Sequence, residues 1–327
     1  IPWLPQWIPA LLVLVALLLM NLTAVKYFGE MEFWFALIKV IAIISLIIIG
    51  IIMIVTGFTT DAGVAAFSNM WNYGGWFPNG TMGFILSFQM VVFAFTGIEL
   101  VGLTAGETED PEKVIPMAIN NIPLRIILFY VGSLAIIMSI YPWTAVNPAA
   151  SPFVAVFTAV GITAAAGIVN FVVLTSAASA TNSGIFSTGR MIYALAKRGH
   201  APSSMRRLTH SSVPYQATIF SAAVLLITVV LNYVMPEAVF VMITSISTFC
   251  FIFIWAMMVI CHLKYRKKNP ELAAQSKFKM PLYPVINYII LAFFVFVLAI
   301  LALNEDTRIA LLFTPIWFII LWAFYSM

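Results

Sequence analysis

Apolar residues neither alternate along this chain nor gather on one face of a periodic pattern. They run almost unbroken for stretches of roughly twenty positions. Nine such runs stand at about 8–25, 32–57, 83–103, 122–142, 160–185, 215–234, 238–262, 284–303 and 308–327. Each is long enough to cross roughly 30 Å of hydrocarbon as a helix. Continuity rather than alternation predicts helices and not a barrel, because a lipid-embedded backbone must satisfy its own hydrogen bonds. Pro, Gly and charged residues punctuate the gaps, the longest of which hold only about 25 residues, so no soluble domain fits between the runs. The predicted fold class is an all-α polytopic membrane protein.

Composition strengthens this picture. Of 327 residues, 63% are apolar and 9% charged, against about 25% charged in ordinary soluble domains. So few charges do not cover a water-facing surface, and lipid is the solvent that suits them. The basic pI near 9.0 does not point to nucleic acid, because the cations sit in short clusters between runs and form no continuous basic face.

Those clusters predict orientation. Lys26 follows run one; Lys113 and Arg125 follow run three; Lys197, Arg198, Arg206 and Arg207 follow run five. Lys264, Arg266, Lys267, Lys268, Lys277 and Lys279 follow run seven. The opposite gaps hold Arg308 and the acids Asp61, Glu237, Glu305 and Asp306. The basic gaps are therefore expected inside. Ile1 to Trp7 would then lie outside without a signal-peptide pattern, which implies an odd number of spans upstream and a chain that is the C-terminal portion of a longer protein.

Cys250 and Cys261 are eleven positions apart in one run, roughly 16 Å along a helix, too far for a disulfide. His200, His210 and His262 lie at or beyond the predicted helix ends and show no ligand spacing, so neither metal nor cofactor is expected. No nucleophile–base pair, phosphate loop or dinucleotide fingerprint is present, and the chain is not expected to be an enzyme. An intramembrane enzyme, a channel and a transport-inactive sensor remain as other classes.

Ionisable residues at membrane depth are costly and mark function. Lys39 sits well inside run two. It either snorkels to the inner interface or is a partly desolvated amine that gains and loses a proton during transport. Glu99, in Phe93-Ala94-Phe95-Thr96-Gly97-Ile98-Glu99-Leu100, is either a structural carboxylate bound to a neighbouring helix or a gate or proton-relay group. Thr96-Gly97 at mid-membrane suggests a broken helix that offers backbone groups to a substrate, or a close packing contact. Ser176, Ser179 and Ser183 share one face of run five, as a polar wall or as helix-packing glue. Thr244, Ser245, Ser247 and Thr248 in run seven carry the same ambiguity. Glu107-Thr108-Glu109-Asp110-Pro111-Glu112-Lys113 reads as a cytoplasmic turn with acids at the start of a short helix.

The strings MNLTAVKYFGEMEFWFALIKVIAI (20–43), FAFTGIELVGLTAGETEDPEKVIPMAIN (93–120) and NFVVLTSAASATNSGIFSTGRMIYALAKRGHAP (170–202) resemble the bacterial amino acid transporter family of the amino acid–polyamine–organocation superfamily. SPFVAVF (151–157) and ALNEDTRIALLFTPIWF (302–318) extend the likeness, most closely to members that carry D-alanine, D-serine and glycine. The resemblance implies a twelve-helix, leucine-transporter-type inverted-repeat fold entered at helix 4, with nine helices here and the carboxylate-binding helix 1 absent. Residues 1–57 would end the first repeat, 83–262 would form the second and 283–327 the last two helices.

The resemblance also implies roles. Phe93, Phe95, Thr96, Gly97, Ser179, Ser183 and Ser245 would meet the substrate, Lys39 would replace a sodium ion and couple protons, and Glu99 would gate. The expected partners are an amino-acid substrate, protons and the lipid bilayer, with no nucleic acid, in a bacterial cytoplasmic membrane. Proline, aromatic amino acids and 4-aminobutyrate are the alternative substrates within the family.

Overall fold

The computed structural model describes all residues except 1–4, 6, 24, 104–107, 147–150, 163, 235–238, 304 and 327. Among the described residues, the regular structure is helical apart from one small ribbon. Two compact units divide it by packing: Ile1–Pro78 with Asn120–Tyr233, and Asn79–Ile119 with Val234–Met327.

The first unit begins with α1 (Trp7–Asn21) and α2 (Val25–Val55). Antiparallel β1 (Thr59–Thr60) and β2 (Gly63–Val64) follow, then the single turn α3 (Asn69–Asn72). The ribbon lies outside anything the apolar pattern predicts. Polar bonds pin it: Asn69 Nδ2 donates to the carbonyls of Val64 and Ser139, both at 2.9 Å. Trp143 Nε1 likewise donates to the Tyr73 carbonyl at 2.7 Å.

The second unit holds α4 (Gly80–Ala94), the short α5 (Leu100–Leu103) and the start of α6 (Pro111–Arg125). The helix that begins at Pro111 is not the short one expected from its acids. It continues through a π-helical segment, Ile126–Gly132, into α7 (Ser133–Ile140), one membrane-length span of 30 residues. Ser133 Oγ donates to the Tyr130 carbonyl at 3.2 Å where the wider π turn ends.

The first unit then continues with α8 (Pro152–Ala159), α9 (Ala165–Lys197) and α10 (Tyr215–Val234). The second ends with α11 (Val239–Lys268), α12 (Pro270–Gln275), α13 (Val285–Leu303) and α14 (Glu305–Ser326). Among the described residues, six helices are long and apolar enough to cross a membrane, and Trp7–Asn21 and Gly80–Ala94 are shorter apolar helices.

Many large apolar side chains face outward. Val55, Leu124, Ile227 and Trp322 are among the most exposed. In water that would be an aggregation hazard; against lipid tails it costs nothing. The buried interior is correspondingly small. In the first unit Leu46, Met53, Ile136, Ile140, Val156 and Val169 join α2, α7, α8 and α9. Leu14, Leu17, Ile185 and Ala222 join α1, α9 and α10. In the second unit Val92, Ile252, Phe294, Val297 and Leu301 join α4, α11 and α13. Small and polar residues do the rest, as helix association in lipid requires. Asn21 Nδ2 on α1 donates to Asn182 Oδ1 on α9 at 2.7 Å, and Asn182 is fully buried.

Candidate functional site

In the first unit the chemistry gathers where α2 meets α9. Glu32 and Lys39 are seven positions apart, so the helical repeat puts them on one stripe about two turns from each other. Opposite them α9 presents Ser179, buried to 1% exposure because small residues let the helices approach. Its hydroxyl lies between the two ions. Ser179 Oγ donates to Glu32 Oε1 at 2.5 Å and accepts from Lys39 Nζ at 3.0 Å. The single hydroxyl proton is thereby committed to Glu32. The other carboxylate oxygen, Glu32 Oε2, is buried and has no hydrogen-bond partner among the described residues.

Lys39 therefore reaches across to α9 instead of snorkelling to an interface. Glu32, a residue the sequence reading missed, lies inside the span Gly29–Val55. An acid so near a helix end reads from sequence as interfacial. Its seven-residue spacing to Lys39, a lysine well inside the same apolar run, was the signal available.

Beyond Lys39, α2, α8 and α9 line an open-sided cavity of about 790 Å³, with residues such as Ile38, Phe157 and Val172 in its wall. Its wall is apolar except for Lys39, Ser45 and Ser176. Ser176 turns its hydroxyl back onto its own helix, donating to the Val172 carbonyl at 2.6 Å. Ser183 is half-buried one turn past Ser179.

In the second unit the polar feature is a break. α4 ends at Ala94 and α5 starts at Leu100. Between them the ladder tightens to bonds from i to i−3: Thr96 N–H to the Phe93 carbonyl and Leu100 N–H to that of Gly97, both at 3.1 Å. Gly97 takes φ +101°, a conformation that side-chain-bearing residues rarely adopt. Glu99 Oε2 accepts the Gly97 N–H at 3.2 Å and the indole N–H of Trp255, on α11, at 3.1 Å. Thr96 Oγ1 donates to the Phe93 carbonyl at 2.8 Å. Phe93, Phe95, Thr96 and Gly97 are all half-buried.

Glu99 thus holds the break to a neighbouring helix. Trp255 is a residue the sequence reading missed. An indole in mid-span, away from the interfacial belts where Trp concentrates, needs a partner for its N–H. Ser245 is nearly fully buried on the same helix, ten residues earlier and so about 15 Å along the axis.

Among the described residues no three His, Cys, Asp or Glu converge on a point. His262 lies within α11 and not at a helix end, with Nδ1 at 3.0 Å from Asn287 Nδ2. Glu107 falls outside the described residues.

A lysine and a glutamate joined through a buried serine, a broken helix and a largely helical, lipid-suited exterior form a transporter's set of parts. A family model described as amino acid permease matches residues 1–327. The chain belongs to the amino acid permease family. Among curated relatives, "Uncharacterized transporter YdgF" of Bacillus subtilis is 66% identical over all of this chain and 71% of its own length. "Amino-acid permease AapA" of the same organism is 63% identical with the same coverage. The "D-serine/D-alanine/glycine transporter" of Escherichia coli K12 is 52% identical over 99% of this chain and 70% of that protein. This permease is accordingly a transporter and not an enzyme, a multi-pass protein of the bacterial cytoplasmic membrane.

Proposed function

We propose that this permease imports small neutral amino acids, D-alanine, D-serine and glycine, together with protons. The supporting observation for the substrate is the 52% identity, over 99% of the chain, to a relative whose name states those three. In the second unit the Phe95–Gly97 break receives the substrate ammonium on its backbone, with Glu99 holding the break open. In the first unit Lys39 takes up and releases the coupled proton, a role its depth in α2 and its bond to a buried hydroxyl support.

The experiment is uptake of labelled glycine and D-alanine by the intact protein in proteoliposomes, with and without a proton uncoupler. Accumulation of both, abolished by the uncoupler, is expected. Accumulation of proline, an aromatic amino acid or 4-aminobutyrate in their place would move the permease to another substrate within its family. Accumulation indifferent to the uncoupler would end the proton reading.

A further inference from the structure

A lysine that takes up and releases a proton inside a membrane needs a route for that proton. On the first unit's packed surfaces the choice of partner is narrow. α2 packs on α1, α7, α8, α9 and the π segment. Of these, α1, α7, α8 and the π segment carry no charged residue, and α9 carries only Arg190 and Lys197. Arg190 lies eleven residues beyond Ser179, roughly 16 Å along the axis, and stacks on the Phe186 ring at 3.3 Å. On α2 itself Glu30 is exposed. Glu32 is the group that meets Lys39 through a shared atom.

We propose that Glu32 is the proton-exchange partner of Lys39, with the Ser179 hydroxyl carrying the proton between them. The proposal rests on the reading of Lys39 as the proton-coupling residue. The bonds already point the right way. Lys39 Nζ–H is directed at Ser179 Oγ, and the Ser179 hydroxyl proton is directed at Glu32 Oε1. A concerted shift passes one proton from Nζ to Oγ as the original hydroxyl proton moves to Oε1. An ammonium and a carboxylate become an amine and a carboxylic acid, and the serine ends as it began. Neutralising both ions together removes two charges from a poorly solvated site, where unpaired charge is most costly.

Position supports direction. Lys39 lies ten residues inside the span that starts at Gly29, about 15 Å, and Glu32 only about 5 Å inside it. Glu32 therefore stands between the deep amine and the near end of the helix. Its buried Oε2, without a partner among the described residues, is the acceptor still open for proton exchange beyond the pair.

The test compares wild type, Lys39→Ala, Glu32→Gln, Ser179→Ala and Ser179→Thr as intact proteins in proteoliposomes. Two quantities are read with labelled D-alanine: accumulation driven by an imposed pH gradient, and counterflow without one. Glu32→Gln is expected to lose accumulation and keep counterflow, and Ser179→Ala to lose accumulation. Ser179→Thr retains a hydroxyl and is expected to keep both, which a purely structural role for Ser179 does not predict. Wild-type accumulation in Glu32→Gln or Ser179→Ala overturns the relay, as does a Ser179→Thr no better than Ser179→Ala. Where Glu32→Gln loses counterflow too, the two serine variants decide. Undiminished accumulation in Lys39→Ala defeats the underlying proton reading. Loss in Lys39→Ala with retention in Glu32→Gln defeats the relay alone.

Discussion

Glu99 Oε2 sits 3.1 Å from the indole nitrogen of Trp255, and the same oxygen caps the Gly97 amide at 3.2 Å. One atom thus fastens a broken helix to α11. Trp255→Phe keeps most of the ring's packing against Phe251 and Phe294, whose centroids lie at 6.0 and 6.2 Å, and deletes only the donor. The expected loss is about 1–3 kcal/mol of stability in mixed-micelle unfolding. A double-mutant cycle with Glu99→Gln is expected to be non-additive, since the residues share one bond. Strict additivity would mean the contact has no energetic weight.

Gly97 separates backbone strain from steric crowding. A Cβ built there meets nothing within 4 Å, yet φ is +101°. Gly97→Ala is therefore expected to cost about 1–2 kcal/mol by conformation alone, and to impair uptake. Gly102 has equally open space without a positive φ and lies in α5. Gly102→Ala is expected to be neutral or slightly stabilising. Equal behaviour of the two variants in a thermal-shift series would refute the argument from backbone geometry.

The nine apolar runs show where helices lie because lipid demands long unbroken apolar segments, and Thr96-Gly97 reads as a break because Gly tolerates what other residues do not. What sequence hides is side-chain reach. Glu32 looks interfacial until α9 brings Ser179 to it, and Trp255 is camouflaged among Phe249, Phe251 and Phe253. The ribbon at Thr59–Val64 depends on Asn69 bonding to Ser139, seventy residues away, which no local pattern encodes. The continuous helix from Pro111 was obscured by Pro116 and Pro123, residues that usually mark an end.

Glu112 and Lys277, at 2.9 Å, form an exposed ion pair between two segments whose charge pattern predicts the same cytoplasmic side. The Lys277 ammonium, through its hydrogen bond and charge, lowers the Glu112 carboxyl below its ordinary pKa, and Glu112 in turn raises Lys277 above its own. The signs follow. The Glu112 contribution is present above the ordinary carboxylate range and is lost as pH falls through its lowered pKa. The Lys277 contribution is present below the ordinary lysine range and is lost as pH rises through its raised pKa. A spin label at Ser276 is expected to be held at neutral pH and to become more mobile at both extremes. High salt is expected to mobilise it too, because both side chains are open to solvent. Glu112→Gln should leave the label mobile throughout. A spectrum unchanged by pH, salt and that variant would show that the pair does not order this segment.

Gly189 tests how closely α9 and α10 must approach. A Cβ on Gly189 would lie 2.9 Å from Thr218 Oγ1, 3.3 Å from Thr218 Cα and 3.4 Å from its backbone nitrogen. The hydroxyl is itself fixed by donating to the Pro214 carbonyl at 3.0 Å, and Thr218 is 2% exposed. Gly189→Ala is expected to destabilise the protein by about 1–3 kcal/mol, the usual cost of overpacking. Adding Thr218→Ala removes the nearest atom but leaves the two backbone contacts, so partial and not full recovery is expected. Gly184, on the same helix with nothing within 4 Å, supplies the control, and Gly184→Ala should not destabilise. Full rescue by Thr218→Ala would show that the hydroxyl and not the backbone limits the approach, and no loss in Gly189→Ala would show that the helices have room to separate.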